Sequence, residues 1–211
     1  MVQATLRSAE GILMTNLPPL SDKTITQLFT QARTHNGWLP IDVPDALLRQ
    51  AVEIARWGPT SANCSPLRIV FVRSPEAKAQ LAPAMAPGNL DKTLAAPATA
   101  ILGYDLDFYD KLPRLYPAAD ARSWFAGNDA LIAETAFRNA TLQAAYFLIA
   151  LRALGLDVGP MSGFDKEKVE AAFFAGTRVK ANFLMNIGFG DPDKLYPRSP
   201  RLAFDEIAKI I

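Results

Sequence analysis

The sequence predicts a single α+β domain over residues 21–211, preceded by a loose arm at residues 1–20. Stretches of strand length and stretches of helical periodicity both occur, but they do not alternate strictly, which disfavours a doubly wound parallel sheet. A long alanine-rich stretch from Glu134 to Leu154 is apolar on nearly every side. A helix of that kind is buried in a domain centre or a subunit interface. The 211 residues suffice for one proper core and not comfortably for two.

The arm holds Gly11 and the Pro18-Pro19 pair and shows no periodicity. Ser21-Asp22 reads as a helix start. Ile25, Leu28, Phe29 and Ala32 follow at helical spacing, and Asn36-Gly37 is the stop. A second helix runs from about Pro44 to Arg56, with Leu48, Ala51, Val52 and Ala55 on one face, and ends in Trp57-Gly58-Pro59. Leu67 to Val72, apolar except for Arg68, reads as a buried strand. Pro75 to Met85 is helical, Ala98 to Leu102 is a second strand, and 103–128 is short irregular structure over the core. After the long helix come a short helix from Asp165 to Phe174, a third strand from Ala181 to Gly188, and a closing helix from Phe204 to Ile211.

Lysine and arginine number 22 against 21 acids, a net charge of +1, so neither nucleic acid nor an anionic membrane is expected as a partner. One cysteine, Cys64, cannot form an internal disulfide, and with the single His35 it leaves no basis for a structural zinc site or other metal. The N-terminus lacks a signal-peptide pattern and no apolar stretch is long enough to span a bilayer. A cytoplasmic location is expected.

Several motifs carry little. Gly188-Phe189-Gly190 is followed by Asp191-Pro192-Asp193, a turn and not a dinucleotide fingerprint. Ser162 lacks the flanking glycines of a nucleophile elbow. Cys64 with His35 remains open as a thiol nucleophile, although a lone cysteine is more often a small buried residue. Asp105/Asp107 and Asp191/Asp193 read as solvated loop charges.

Four segments carry more: Ala32 to Trp38, Trp57 to Pro66, Gly159 to Asp165 and Tyr196 to Arg201. Singly each is a plausible capped turn. Together they suit flavin mononucleotide, FMN, which needs cations and hydroxyls at its phosphate, amides along its ribityl chain and pyrimidine edge, and a backbone N–H at N5. Arg33, Thr34 and Arg201 suit the phosphate. Asn63 and Asn89 suit the ribityl chain and pyrimidine edge, and the Met161–Gly163 turn suits N5.

These segments resemble the nitroreductase superfamily over about residues 21–211. Ala32-Arg33-Thr34 stands at its arginine-arginine-serine motif. Pro59 to Pro66 stands at its proline-serine-x-x-asparagine-x-glutamine-proline loop, Pro160 to Gly163 at its flavin-N5 loop, and Arg201 at its C-terminal phosphate arginine. The strings ARTHNGW, WGPTSANCSP, DARSWF, ETAFRN, LGLDVGPMSGFD and YPRSPRL are similar to the malonic semialdehyde reductase branch of pyrimidine utilisation. The sequence departs from the family pattern at Ala32, Asn36, Ser65 and Ser199, where basic residues or glutamine are usual; Lys92 and Arg198 are candidates to compensate.

The resemblance implies a central mixed sheet flanked by helices, in a domain-exchanged homodimer with the flavin between subunits. It implies FMN with NADH or NADPH as co-substrate, and a small aldehyde, nitro compound or quinone as acceptor. The implied cofactor contacts are Arg33, Thr34, His35, Asn36, Pro59, Thr60, Ser61, Asn63, Asn89, Lys92, Pro160, Met161, Ser162, Gly163, Arg198 and Arg201. No side chain is assigned the chemistry itself, which belongs to the flavin. Arg122, with Trp124 and Phe125 beside it, is a candidate for the carboxylate of malonic semialdehyde. A broad nitroaromatic or quinone reductase and a flavin-binding protein without turnover are the alternatives.

Overall fold

In the computed structural model, which describes residues 18–211, four strands form one sheet in the order β1-β2-β4-β3. They are β1 (Leu67–Val72), β2 (Ala98–Asp105), β3 (Asp157–Met161) and β4 (Val179–Gly188). All neighbouring strands are antiparallel. The parallel element is a single bridge from Thr34 to Val158, which lengthens the sheet beyond β3. Of the predicted arm, residues 1–17 lie outside the described residues.

Strand side chains alternate between the two faces, and both faces are covered. Ala98, Ala100, Leu102, Val158, Met185 and Ile187 meet the helices α2 (Asp45–Ala55) and α6 (Asp129–Ala153). Ile101, Met161, Leu184 and Val72 face the other way, towards α3 (Pro75–Leu81) and α7 (Lys166–Phe173). A third cluster around Phe108, Leu112, Phe125 and Ile132 holds the irregular 103–128 region, with its short helix α5 (Leu112–Leu115), against α6. Along α6 the buried residues Ile132, Ala136, Ala140, Ala144, Phe147 and Leu151 form the stripe that a 3.6-residue period requires. Leu131, Phe137 and Leu142 on the same helix stay exposed.

The boundaries differ from expectation for physical reasons. The first helix, α1 (Asp22–Ile25), continues as a π-helical turn, Thr26–Thr30, and stops there instead of at Gly37. The residues beyond are drawn off by sheet pairing, with the His35 N–H donating to the Val158 carbonyl at 3.1 Å. The helix expected from Pro75 to Met85 ends at Leu81 and gives way to a 3₁₀ turn, Ala82–Ala84, because Pro83 has no N–H to continue it. α6 begins at Asp129, capped by the Asn128 side chain accepting from the Leu131 N–H. The closing helix is only α8 (Phe204–Ile207), with Ala208 extended.

Two elements carry no clear local signal in the sequence. One is α4 (Pro87–Ala95), which opens with Pro87 at its first turn, where a missing N–H costs nothing. The other is β3, hidden because Gly159-Pro160 reads as a turn. Proline is tolerated at a sheet edge, and β3 is the last strand of the sheet.

Candidate functional site

A cavity of about 670 Å³ opens where the end of the first helix, the C-terminal end of α6 and the segment after β4 converge. Arg33, Arg152, Arg198 and Arg201 line it with Thr34 and Asn36, and no acid does. None of the four guanidinium groups is paired with a carboxylate among the described residues. Backbone carbonyls hold them instead. Arg33 donates to Tyr196, Arg198 to Ala32 at 3.2 Å, Arg152 to Leu28 at 3.0 Å, and Arg201 to Ser199 and Pro200 at 2.9 and 3.1 Å. A carbonyl orients a guanidinium without cancelling its charge. Four like charges around one cavity make an anion site, and forked donors suit a phosphate.

The helix α4 joins two neighbouring parts. Asn89 donates to the Gly163 carbonyl at 2.9 Å, and the Ala86 N–H donates to the same oxygen at 3.1 Å. That fixes the turn after β3. Lys92 donates to the Asn36 side-chain oxygen at 3.1 Å, and burial pushes its ammonium below the usual lysine pKa. The helix is anchored in turn by Asn186, fully buried on β4, which bonds Thr99, Thr93 and the Lys92 carbonyl. Ser162 is exposed at the turn, while the Met161 side chain is buried and accepts from the Thr93 hydroxyl.

His35 is buried, with Nε2 at 3.4 Å from Asp157 and Nδ1 unpartnered. It does not line the cavity. Cys64 is fully buried in the third cluster. Burial pushes its thiol up to about 11, so it carries no thiolate at neutral pH and the thiol-nucleophile alternative falls.

The loop from Pro59 to Ser65 lies elsewhere. The Ser61 N–H donates to Asn139 Oδ1 at 2.9 Å, the Ser65 N–H to the Thr60 hydroxyl at 3.2 Å, and Asn63 Nδ2 to the Leu115 carbonyl at 2.9 Å. Asn139 and Arg152 are about 20 Å apart along α6. One chain therefore presents two separate sets of the predicted cofactor residues. Arg33, Thr34, Asn36, Asn89, Lys92, the Pro160–Gly163 turn, Arg198 and Arg201 lie around the cavity and α4. Pro59, Thr60, Ser61 and Asn63 lie beside the middle of α6, where Ser61 meets Asn139.

Arg122 pairs with Asp110 at 2.8 Å and stacks over the Tyr109 ring. Trp124 is half-exposed beside Tyr116, and Phe125 is buried edge-on against Phe108. Sequence reasoning missed Arg152. Its one signal is a cation in the last turn of a helix whose second half is largely apolar.

The sequence profile of the nitroreductase family matches residues 30–190. The chain belongs to the nitroreductase family. A Burkholderia lata protein with the provisional name NADH dehydrogenase/NAD(P)H nitroreductase is 63% identical over 191 residues, which are 90% of this chain and 98% of that protein. A Bacillus subtilis structure provisionally named a nitroreductase superposes with a TM-score of 0.82 at 21% identity, covering 90% of this chain and 99% of that one. An Exiguobacterium sibiricum protein, also provisionally named a nitroreductase and solved in complex with FMN, gives 0.77 at 21% identity, covering 89% and 97%. The family's fold is therefore the fold of this nitroreductase-family chain.

Proposed function

We propose that this nitroreductase-family protein is an FMN-dependent NAD(P)H oxidoreductase, working as a cytoplasmic homodimer, whose substrate is malonic semialdehyde and whose product is 3-hydroxypropionate. The observation that carries the cofactor reading is the cavity of four arginines facing no carboxylate. Arg33, Arg198 and Arg201 hold the phosphate there with Thr34. Asn89 and Lys92, both fixed by α4, serve the ribityl chain and pyrimidine edge with Asn36. The Ser162 and Gly163 N–H groups face the reactive edge of the ring. When bound, FMN supplies hydride transfer between the nicotinamide and the aldehyde. The residues of this chain bind, orient and exclude water.

The second copy is inferred because Ser61, bonded to Asn139, stands about 20 Å along α6 from Arg152 in the cavity of its own chain. The exposed Leu131, Phe137 and Leu142 of α6, and Leu202, Phe204, Ile207 and Ile210 near the C-terminal end, are apolar surface for such an interface. The unpaired, buried cysteine suits a reducing compartment. The substrate reading rests on the branch-specific strings, with Arg122 turning from Asp110 to the substrate carboxylate. Against it stands a broad nitroaromatic or quinone reductase, favoured by the name of the 63% identical relative.

The test is NADH and NADPH oxidation with malonic semialdehyde or a nitroaromatic, with and without added FMN, on protein whose mass in solution is measured. FMN-dependent turnover of the aldehyde to 3-hydroxypropionate by a dimer supports the proposal. Preference for the nitroaromatic by kcat/KM supports the second reading. FMN binding without NAD(P)H oxidation defeats both.

A further inference from the structure

We infer that Arg152 is a phosphate-binding residue of this cavity, and that it selects a flavin phosphomonoester over the neutral flavin. The inference rests on the FMN reading above. Arg33, Arg198 and Arg201 all sit on non-helical segments, 31–34 and 195–201. Arg152 alone stands on a long helix, next to Leu151 and Ala150, which are buried under the sheet. Its own carbonyl accepts from Gln27 at 2.9 Å, and its Nη1 is spent on the Leu28 carbonyl. Among the described residues no protein acceptor meets Nη2 or Nε, neither atom is sealed from solvent, and the residue lines the cavity. The guanidinium is thus held on one side by protein and presented on the other to the space it lines. A cation fixed on a rigid element loses little freedom when an anion arrives. Burial already holds it below the usual arginine pKa, with Asp157 opposing. Asp157 acts on it only through its charge: among the described residues the two form no ion pair, and the Asp157 oxygens instead meet the Gly190 N–H at 2.9 Å and His35 Nε2 at 3.4 Å.

An arginine in the last turn of a helix also favours the helix dipole. That role alone predicts lost stability and no discrimination between ligands. The experiment therefore compares FMN with riboflavin. Full-length wild type, Arg152→Gln and Arg152→Lys are titrated with each flavin by fluorescence, and thermal unfolding without flavin is followed with and without inorganic phosphate. The expected result is that Arg152→Gln weakens FMN binding by roughly ten- to a hundredfold and leaves riboflavin binding within about threefold. Phosphate should raise the melting temperature of wild type more than that of Arg152→Gln, and Arg152→Lys should recover part of both effects. Equal loss of FMN and riboflavin, or FMN binding by Arg152→Gln as tight as wild type, overturns the assignment while leaving the FMN reading standing. Wild type that fails to prefer FMN over riboflavin overturns both.

Discussion

Gly159→Ala tests how the sheet edge positions the cavity. Gly159 lies in β3, and a Cβ there would stand 2.5 Å from the His35 carbonyl oxygen, with Trp38 Cζ2 at 3.5 Å and Asn186 Cβ at 3.7 Å. An ordinary C···O contact begins near about 3.3 Å, so roughly 0.8 Å of movement is required. The obstacle is backbone, not the end of a flexible side chain. The neighbours on the other flank are already in van der Waals contact, so the segment carrying His35 must move outward. That strains the His35-to-Val158 hydrogen bond, the link between β3 and the cavity wall. Losing the bond costs about 1 kcal/mol and overpacking adds about 1–3 kcal/mol. The variant should therefore be about 2–4 kcal/mol less stable in urea unfolding followed by tryptophan fluorescence. Arg33, Thr34 and Asn36 move with His35, and a misplacement approaching about 1 Å is worth up to about a hundredfold in a positioned site. FMN affinity should fall at least about tenfold by the same argument. Stability within about 0.5 kcal/mol of wild type, with unchanged FMN affinity, would refute the reasoning.

Gly88→Ala is the opposite case. Nothing lies within 4 Å of a Cβ at that position in α4, so the substitution should stabilise the protein by about 0.5 kcal/mol in the same urea assay. Cys64 should resist iodoacetamide at pH 8 in the folded protein and react once urea unfolds it. Its folded thiol lies above its ordinary value, from 9.0 to about 11, so protonation favours the fold. The contribution is intact below the unfolded pKa and is lost as pH rises towards the folded one. Stability should decline between pH 9 and 11 more steeply in wild type than in Cys64→Ala, as read from urea midpoints. Arg122→Gln breaks an exposed pair with Asp110 and should cost less than about 1 kcal/mol of stability. If Arg122 receives a substrate carboxylate, KM for malonic semialdehyde should rise by about tenfold or more while KM for an uncharged aldehyde stays near wild type; equal changes would end that assignment.

Elements with strong local periodicity are the ones most legible in the sequence. Leu67–Val72 and the second helix declare themselves by composition. The long helix is legible to within a turn or two of its start at Asp129, because its apolar stripe repeats over many turns. β3 was lost because strand identity there comes from β4 and from Thr34, partners far away in the chain, while Gly159-Pro160 locally signals a turn. α4 was lost because Gly88 and Asn89 are poor helix formers, and its stability comes from the buried Asn186 and from Lys92. The cavity was partly legible. Arg33 and Arg201 match a motif, but their convergence with Arg152 depends on where α6 ends relative to the last segment, which no local pattern encodes. The division of the predicted residues into two sets was equally invisible, since it is a distance along a helix and not a feature of either segment.

The loop between α2 and β1 explains why one of those sets is already built in a single chain. Ala62, Asn63 and Ser65 all have positive φ, at 48°, 51° and 43°. Asparagine tolerates that region, but alanine and serine do so at a cost of about 1–2 kcal/mol each. Such strain persists only where the surroundings over-determine it. Here they do so through buried side chains. Asn139 accepts from Ser61, Gln143 accepts from Leu67 at 3.0 Å, and Cys64 is buried in the third cluster. Asn139 and Gln143 interrupt the otherwise apolar stripe of α6, and each has its side-chain oxygen aimed at one end of this loop. A connection that only turns the chain needs neither two buried amides nor two strained residues. Such an arrangement holds the loop's polar groups fixed, and in the proposed dimer this is the loop that the second copy would bring to the arginine-lined cavity.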